Sequence, residues 1–419
     1  MKKSLFAIAA VTAFAGAAQA QSSVTVYGIL DVGYTGGSVS NQAANGVGNT
    51  AMNVGRISNS MESGSRIGFR GNEDLGGGTS AQFVFELGIQ PAGNAGSNPA
   101  GNANVNAAGV GSTNWSPDIR QAFVGLTQKG AGTVRIGTQN TLYWEQAGSN
   151  TTGQLAQTLG SMLAPTTVGP FFTAQGPAAG NGPNGLSAST AAYTSRTNNT
   201  INLRSERMNG FMLKASYNQS NQSSNVAVNA APLVVNGVND QTGYQVAGEY
   251  VMKKVNLQAS YAGFTSQNSD PALAANTWGA NLQGTNVRDN QMLVTGSYDF
   301  GVLKAFVGYS DRRATSTNVA NFNMTRTAYE IGVRSFITSK VEAWASGGMG
   351  RYKAPGVLGN TANLTGYQVG SNYWLSKRTN LYGIVGANNV AATTANGANN
   401  PATGKQDAFQ YSLGVRHTF

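Results

Sequence analysis

The sequence predicts an all-β protein, a 16-stranded antiparallel up-and-down barrel that spans a membrane, and three observations predict it. Segments in which apolar residues alternate with small or polar ones recur along the whole chain. Each is about ten residues long, the length a tilted strand needs to cross a bilayer. The connections between them alternate between short and long. Composition agrees: only 11% of the 419 residues are charged and 40% are hydrophobic, with mean hydropathy −0.22. A soluble domain carries roughly 25% charged residues. A chain short of charge yet not oily suits a wall with lipid on one side and water on the other.

Taken in order, residues 1–20 come first. Lys2 and Lys3 precede an apolar run at 5–15, and Ala18-Gln19-Ala20 supplies a small-x-small cleavage site. This predicts a cleaved secretory signal peptide over 1–20, with the barrel domain over 21–419. The apolar run is too short for a spanning helix, which needs about 20 residues. With Lys2 and Lys3 removed, 25 basic and 17 acidic residues remain, a formal charge near +8. The basic residues stand singly within strand-like segments, which points away from nucleic acid and towards a lined cavity. With no cysteine in the chain, an exported protein has no disulfides to lean on.

Strands are expected at 23–34, 54–70, 79–89, 118–128, 132–140, 191–205, 209–219 and 242–252. The second half adds 255–264, 289–299, 302–312, 325–336, 341–350, 365–374, 379–388 and 408–419. The long connections fall at 35–53, 90–117, 141–190, 220–241, 265–288, 313–324, 351–364 and 389–407, rich in Asn, Gly, Ser, Thr and Ala. Short turns join the strands at the other end, where both termini also lie. The alternation holds strand by strand. At 255–264, Val255, Leu257, Ala259 and Tyr261 oppose Asn256, Gln258 and Ser260. In the last strand Phe409, Tyr411, Leu413, Val415, His417 and Phe419 oppose Gln410, Ser412 and Arg416. Tyr217, Tyr250, Tyr261, Tyr298, Tyr309 and Tyr373 fall near strand ends, where an interfacial girdle belongs.

Four stretches carry a family resemblance: SSVTVYGILDVGY (22–34), SGSRIGFRGNEDLGGGTSAQFVFELG (63–88), RQAFVGLTQKGAGTVRIGTQ (120–139) and YSLGVRHTF (411–419). Together they resemble the Gram-negative general porins, in the branch typical of β-proteobacteria. The resemblance implies a homotrimer in the outer membrane, in contact with lipid and lipopolysaccharide. It implies a third long loop folded into the lumen, and the longest gap between expected strands is indeed 141–190. It also implies that Phe419 marks the unfolded chain for the outer-membrane assembly machinery.

A water-filled passage selects by width and by the charges lining it. Ile67 and Phe69 face out, so Arg66 and Arg70 face in; Val134 and Ile136 place Arg135 inside; Ile201 and Leu203 place Arg196 and Arg204 inside. Arg120 shares parity with the outward Ala122, Val124 and Leu126, but a bulge at its strand start could redirect it. In the branch the chain resembles, an arginine cluster faces the third loop, and Arg66, Arg120 and Arg196 are similar to it by position. The expected loop carries a single ionisable residue, Glu145. Guanidiniums against one carboxylate make a positive potential that draws small anionic solutes. Passive diffusion of hydrophilic solutes and ions is the expected function, with an anion preference and without a cofactor. The alternative is a channel specific for carboxylate or phosphate.

An enzyme is disfavoured. Acid–base catalysis most often uses His, and the one histidine, His417, sits on the lipid-facing parity near the C-terminus. A carbohydrate channel would want aromatics along the lumen, and the inward ones, Phe123 and Phe306, are scattered. Divalent cations near Glu62, Glu73 or Asp74 are compatible with the sequence, though no spacing demands them.

Overall fold

The computed structural model describes residues 23–43, 50–59, 61–92, 118–153, 158–163, 193–227, 234–268, 287–316, 323–353, 361–392 and 403–419. The expected signal peptide at 1–20 lies outside them. The strands are β1 (Ser23–Ala43), β2 (Thr50–Asn59), β3 (Arg66–Gly76), β4 (Thr79–Gly88), β5 (Asp118–Gln128) and β6 (Gly132–Asn140). After the helix α1 (Leu142–Ser149) come β7 (Arg196–Ser205), β8 (Phe211–Ala227), β9 (Val234–Met252), β10 (Val255–Asn268) and β11 (Val287–Asp299). The last are β12 (Lys304–Ser316), β13 (Asn323–Phe336), β14 (Val341–Lys353), β15 (Thr361–Trp374), β16 (Thr379–Ala392) and β17 (Thr403–Thr418).

From β3 onward each strand pairs antiparallel with the next, and β17 pairs back onto β1, so the sheet closes and leaves no edge. The expected strand at 54–70 is in fact two. β1 pairs with β3 over its first half (Ile29 opposite Arg66) and with β2 over its second (Val32 opposite Asn59). The two therefore form one broken stave, and the barrel has sixteen. The cause of the break sits on the neighbouring strand β1. Asp31 Oδ2 accepts the backbone N–H of Glu62 at 2.8 Å and of Ser63 at 2.6 Å, drawing the chain inward.

Inside and outside are the reverse of a soluble protein. On β13, Ile331 is 67% exposed while its neighbour Glu330 is 4% exposed. Buried positions along β15 include Gln368, Gly370 and Asn372, and the exposed ones Tyr367, Val369 and Tyr373. Water inside and hydrocarbon outside demand this order. Outer-face aromatics pair near the strand ends, Phe211 with Tyr250 at 4.5 Å and Tyr298 with Phe300 at 4.7 Å, and at mid-strand, Tyr309 with Tyr329 at 4.8 Å.

Several strands outrun their expected ends. β8 and β9 stay paired from Phe211–Tyr250 to Ala227–Val234, through the loop expected at 220–241. The backbone ladder continues there, but Ser223, Ser224 and Asn225 show no apolar alternation. Period-2 hydrophobicity reports a difference between two faces, so polar extensions escape it. The chain end closes the wall: Gly28 and Phe419 exchange backbone hydrogen bonds, each at 3.1 Å. Gly28 is required because a Cβ there would collide with the Phe419 ring.

Candidate functional site

The described parts of the connection between β6 and β7, the third long one, lie inside the barrel. Its two ends form a neck: Thr141 N–H donates to Ser195 O at 3.0 Å, and the Tyr143 and Tyr193 rings stack with centroids 4.3 Å apart. Burial, and then the Tyr193 phenol beside it, hold the Tyr143 phenol well above its ordinary range. It stays protonated and donates to Leu163 O at 2.6 Å. The Thr141 hydroxyl accepts from Trp144 N–H at 3.1 Å and caps α1.

Side chains then fix the described parts of this loop to the wall. Gln245 Oε1 accepts Leu142 N–H at 2.8 Å, and the Gln146 amide donates to Gln258 O at 2.9 Å and Leu293 O at 3.1 Å. Further on, Glu330 Oε2 accepts from Ser161 Oγ at 2.9 Å and Met162 N–H at 2.7 Å, and Gln368 donates to Leu159 O at 3.0 Å. Leu159 N–H donates to Gln410 Oε1 at 3.2 Å. The described parts thus lie along the inner face from β9 to β17.

The arginines line the other wall. The β4–β5 register slips between Glu86 and Leu87, so that Gln121 pairs with Glu86 and Ile119 with Leu87, leaving Arg120 unpaired in the ladder. This bulge resets the phase. Arg120 Nε reaches Glu86 Oε1 at 2.6 Å, and Arg66 NH1 lies 3.7 Å from the same oxygen. The Tyr27 hydroxyl donates to Glu86 Oε2 at 3.0 Å, and the Arg70 guanidinium lies 5.2 Å from the Tyr27 ring centroid. Two guanidiniums sharing one carboxylate leave a net positive charge.

The stave break lies beside this pair. Arg66 NH2 donates to Ser63 Oγ at 3.0 Å, and a Cβ on Gly64 would stand 3.1 Å from Arg120 NH1. Thr158 of the inner loop donates to Met61 O at 2.9 Å. The loop and the arginine pair therefore meet the same short segment.

Further down the same wall, Arg135 lies over the Phe123 ring at 5.0 Å. Arg204 pairs with Glu145 of α1 at 2.5 Å, and Lys214 with the other Glu145 oxygen at 3.4 Å. Lys214 also pairs with Glu249, which takes Arg207 at 2.7 Å. Arg196 departs from its expected place. The β6–β7 register shifts between Gly137 and Gln139, where Asn199 takes a left-handed φ of 51°. Buried Thr197 then opposes buried Gln139, and Arg196 opposes Asn140, out of phase with the inward Thr200, Asn202 and Arg204.

Glu86 was missed, although the outward Phe83, Phe85 and Leu87 signalled it by parity. Nor do Phe123 and Phe306 stand as the only inward aromatics. Lys304 lies over Phe306 at 5.0 Å, Arg334 over Trp344 at 5.1 Å and Arg416 over Trp374 at 5.4 Å. Cations cover these rings, which are therefore not open platforms for sugar. Glu62 points to Asn372 and Asn380, each at 2.9 Å, and to Arg416 at 3.3 Å. Among the described residues no cluster of acids or histidine could hold a metal ion.

A family model described as Gram-negative porin matches residues 7–393. An outer membrane porin protein of Bordetella pertussis is 27% identical over 408 residues, covering 91% of this chain and 93% of that one. Outer membrane porin protein 32 of Delftia acidovorans is 44% identical over 88 residues, 20% of this chain and 22% of that protein. Among solved structures, the anion-selective porin from Comamonas acidovorans matches with TM-score 0.58 at 19% identity, covering 95% of this chain and 100% of that one. The trimer form of OmpT from Vibrio cholerae matches with TM-score 0.58 at 14% identity, over 95% and 99%.

Proposed function

The chain belongs to the Gram-negative porins, outer-membrane channel proteins, and from that premise we propose that its channel prefers anions because Arg66 and Arg120 set the charge where solutes pass. The carrying observation is the bulge that turns Arg120 inward onto Glu86 beside Arg66, at the segment the inner loop also touches. Arg66, Arg70, Arg120, Arg135, Arg204 and Lys214 on this wall outnumber Glu86, Glu145 and Glu249, the carboxylates paired with them. Arginine stays charged at any accessible pH, so the passage keeps a positive potential. Solutes move down their gradients without a chemical step and without a cofactor.

A homotrimer is the assembly this reading takes, as in the trimer form of the Vibrio cholerae relative. Its surroundings are outer-membrane lipid and lipopolysaccharide. Phe419, ending the closing strand on Gly28, serves the assembly machinery as a C-terminal signal. Liposomes carrying the purified protein test the channel itself. Swelling in small neutral sugars, with salt permeation faster for a small permeant anion than for a cation of equal size, is expected. Swelling in no solute would overturn the channel, and faster cation entry the preference.

A further inference from the structure

Below the Arg66–Arg120 pair, the same wall carries a second group of cations built differently. Arg204 and Lys214 stand directly opposite each other across β7 and β8. Like charges in that position repel, and a bridging anion removes the cost. Glu145 is that anion: one oxygen takes Arg204 at 2.5 Å, the other takes Lys214 at 3.4 Å. It comes from the first turn of α1 and is the one Asp, Glu, Lys or Arg of segment 141–190. Arg135 completes the group. It opposes Asn202 while Arg204 opposes Thr133, so the two arginines are diagonal neighbours. Its guanidinium carbon lies 5.0 Å from the Phe123 ring centroid. Its Nε is buried without a hydrogen-bond partner, and among the described residues no carboxylate pairs with it.

We propose that Arg135, Arg204 and Lys214 form a carboxylate-binding site in the lumen, and that Glu145 is its tethered occupant, displaced by a passing carboxylate solute. This rests on the reading of the barrel as an anion-preferring channel and names the solute class it favours. The planar fork of Arg135, 5.0 Å from the Phe123 ring centroid, suits a carboxylate, which accepts two parallel N–H bonds, better than a spherical halide. Release of Glu145 from Arg204 opens the second cation to the same solute. Lys214 keeps Glu249 as its nearer partner, so the exchange leaves that cation paired. The helix that carries it stays anchored through Leu142, Gln146 and Asn150, whose partners are wall groups independent of Glu145.

Block of the KCl current through the full-length protein in planar bilayers, by benzoate, tests the site. Benzamide is the neutral control and inorganic phosphate the competing oxyanion. Glu145→Gln should lower the half-blocking benzoate concentration on the order of tenfold, the size of one charge-assisted hydrogen bond. Arg135→Gln should raise it by a similar factor, alone and combined with Glu145→Gln, and benzamide should block no variant. Unchanged or weaker benzoate block in Glu145→Gln overturns the proposal. So does equal strengthening in Gln146→Ala, which loosens α1 without vacating a charge, or phosphate block stronger than benzoate block in every variant. The chloride preference measured in KCl alone separates the two readings. If wild type lacks it, the anion-preferring channel falls; if wild type has it and benzoate block does not respond to Glu145, only this site falls.

Discussion

Glu86 sets the sign of the sharpest residue-level expectation. It holds Arg120 at 2.6 Å and Arg66 at 3.7 Å, and it is 4% exposed. Glu86→Gln removes a negative charge from the passage and should strengthen chloride preference in zero-current potentials, where Arg66→Gln weakens it. Opposite signs at neighbouring positions separate a field effect from general damage to the wall. The variant also leaves two guanidiniums facing each other, so its unfolding free energy should drop by about 1–3 kcal/mol in urea titrations. Parity alone placed Arg66, Arg70, Arg135 and Arg204 on the lumen face, because the stretch of ladder around each keeps its register. It failed at Arg120 and Arg196 because each adjoins a register shift, at Glu86/Leu87 and at Gly137/Gln139. A bulge inverts every side chain beyond it.

Among the elements, the barrel staves were legible and the inner loop only in part. Lipid on one face and water on the other write a period of two into β12 to β17, and their expected and observed cores coincide. Ile331 lies on the lipid face of β13, and Ile331→Arg should cost about 2–4 kcal/mol in urea unfolding from phospholipid vesicles. The inner loop carries no such period, since its anchors are single polar contacts made at long sequence range. Glu330, which accepts both Ser161 Oγ and Met162 N–H, is one of them. Glu330→Ala leaves the buried Met162 N–H without an acceptor, and should show as larger open-channel current noise in single-channel records at unchanged subunit folding. The stave break at 61–65 was invisible because its cause, the Asp31 carboxylate, lies about thirty residues upstream in a neighbouring strand.

At the scale of the molecule, closure between β1 and β17 makes the two chain ends one seam, and the selectivity of the passage belongs to the whole barrel. Gly28→Ala pushes the Phe419 ring off its seat and should lower barrel stability by about 1–3 kcal/mol, read as an earlier urea midpoint. The anion preference should hold from pH 6 to 9, since guanidiniums keep their charge. It should fall as KCl rises from 0.1 to 1 M, because the Debye length shrinks from about 10 Å to about 3 Å. The zero-current potential across a KCl gradient, in wild type and in Arg66→Gln/Arg120→Gln, tests the arginine passage most directly. The expected result is a chloride-directed potential in wild type that collapses towards the value set by bulk ion mobilities in the double variant. A potential that stays unchanged when both arginines are neutral, or one directed by potassium in wild type, would contradict it.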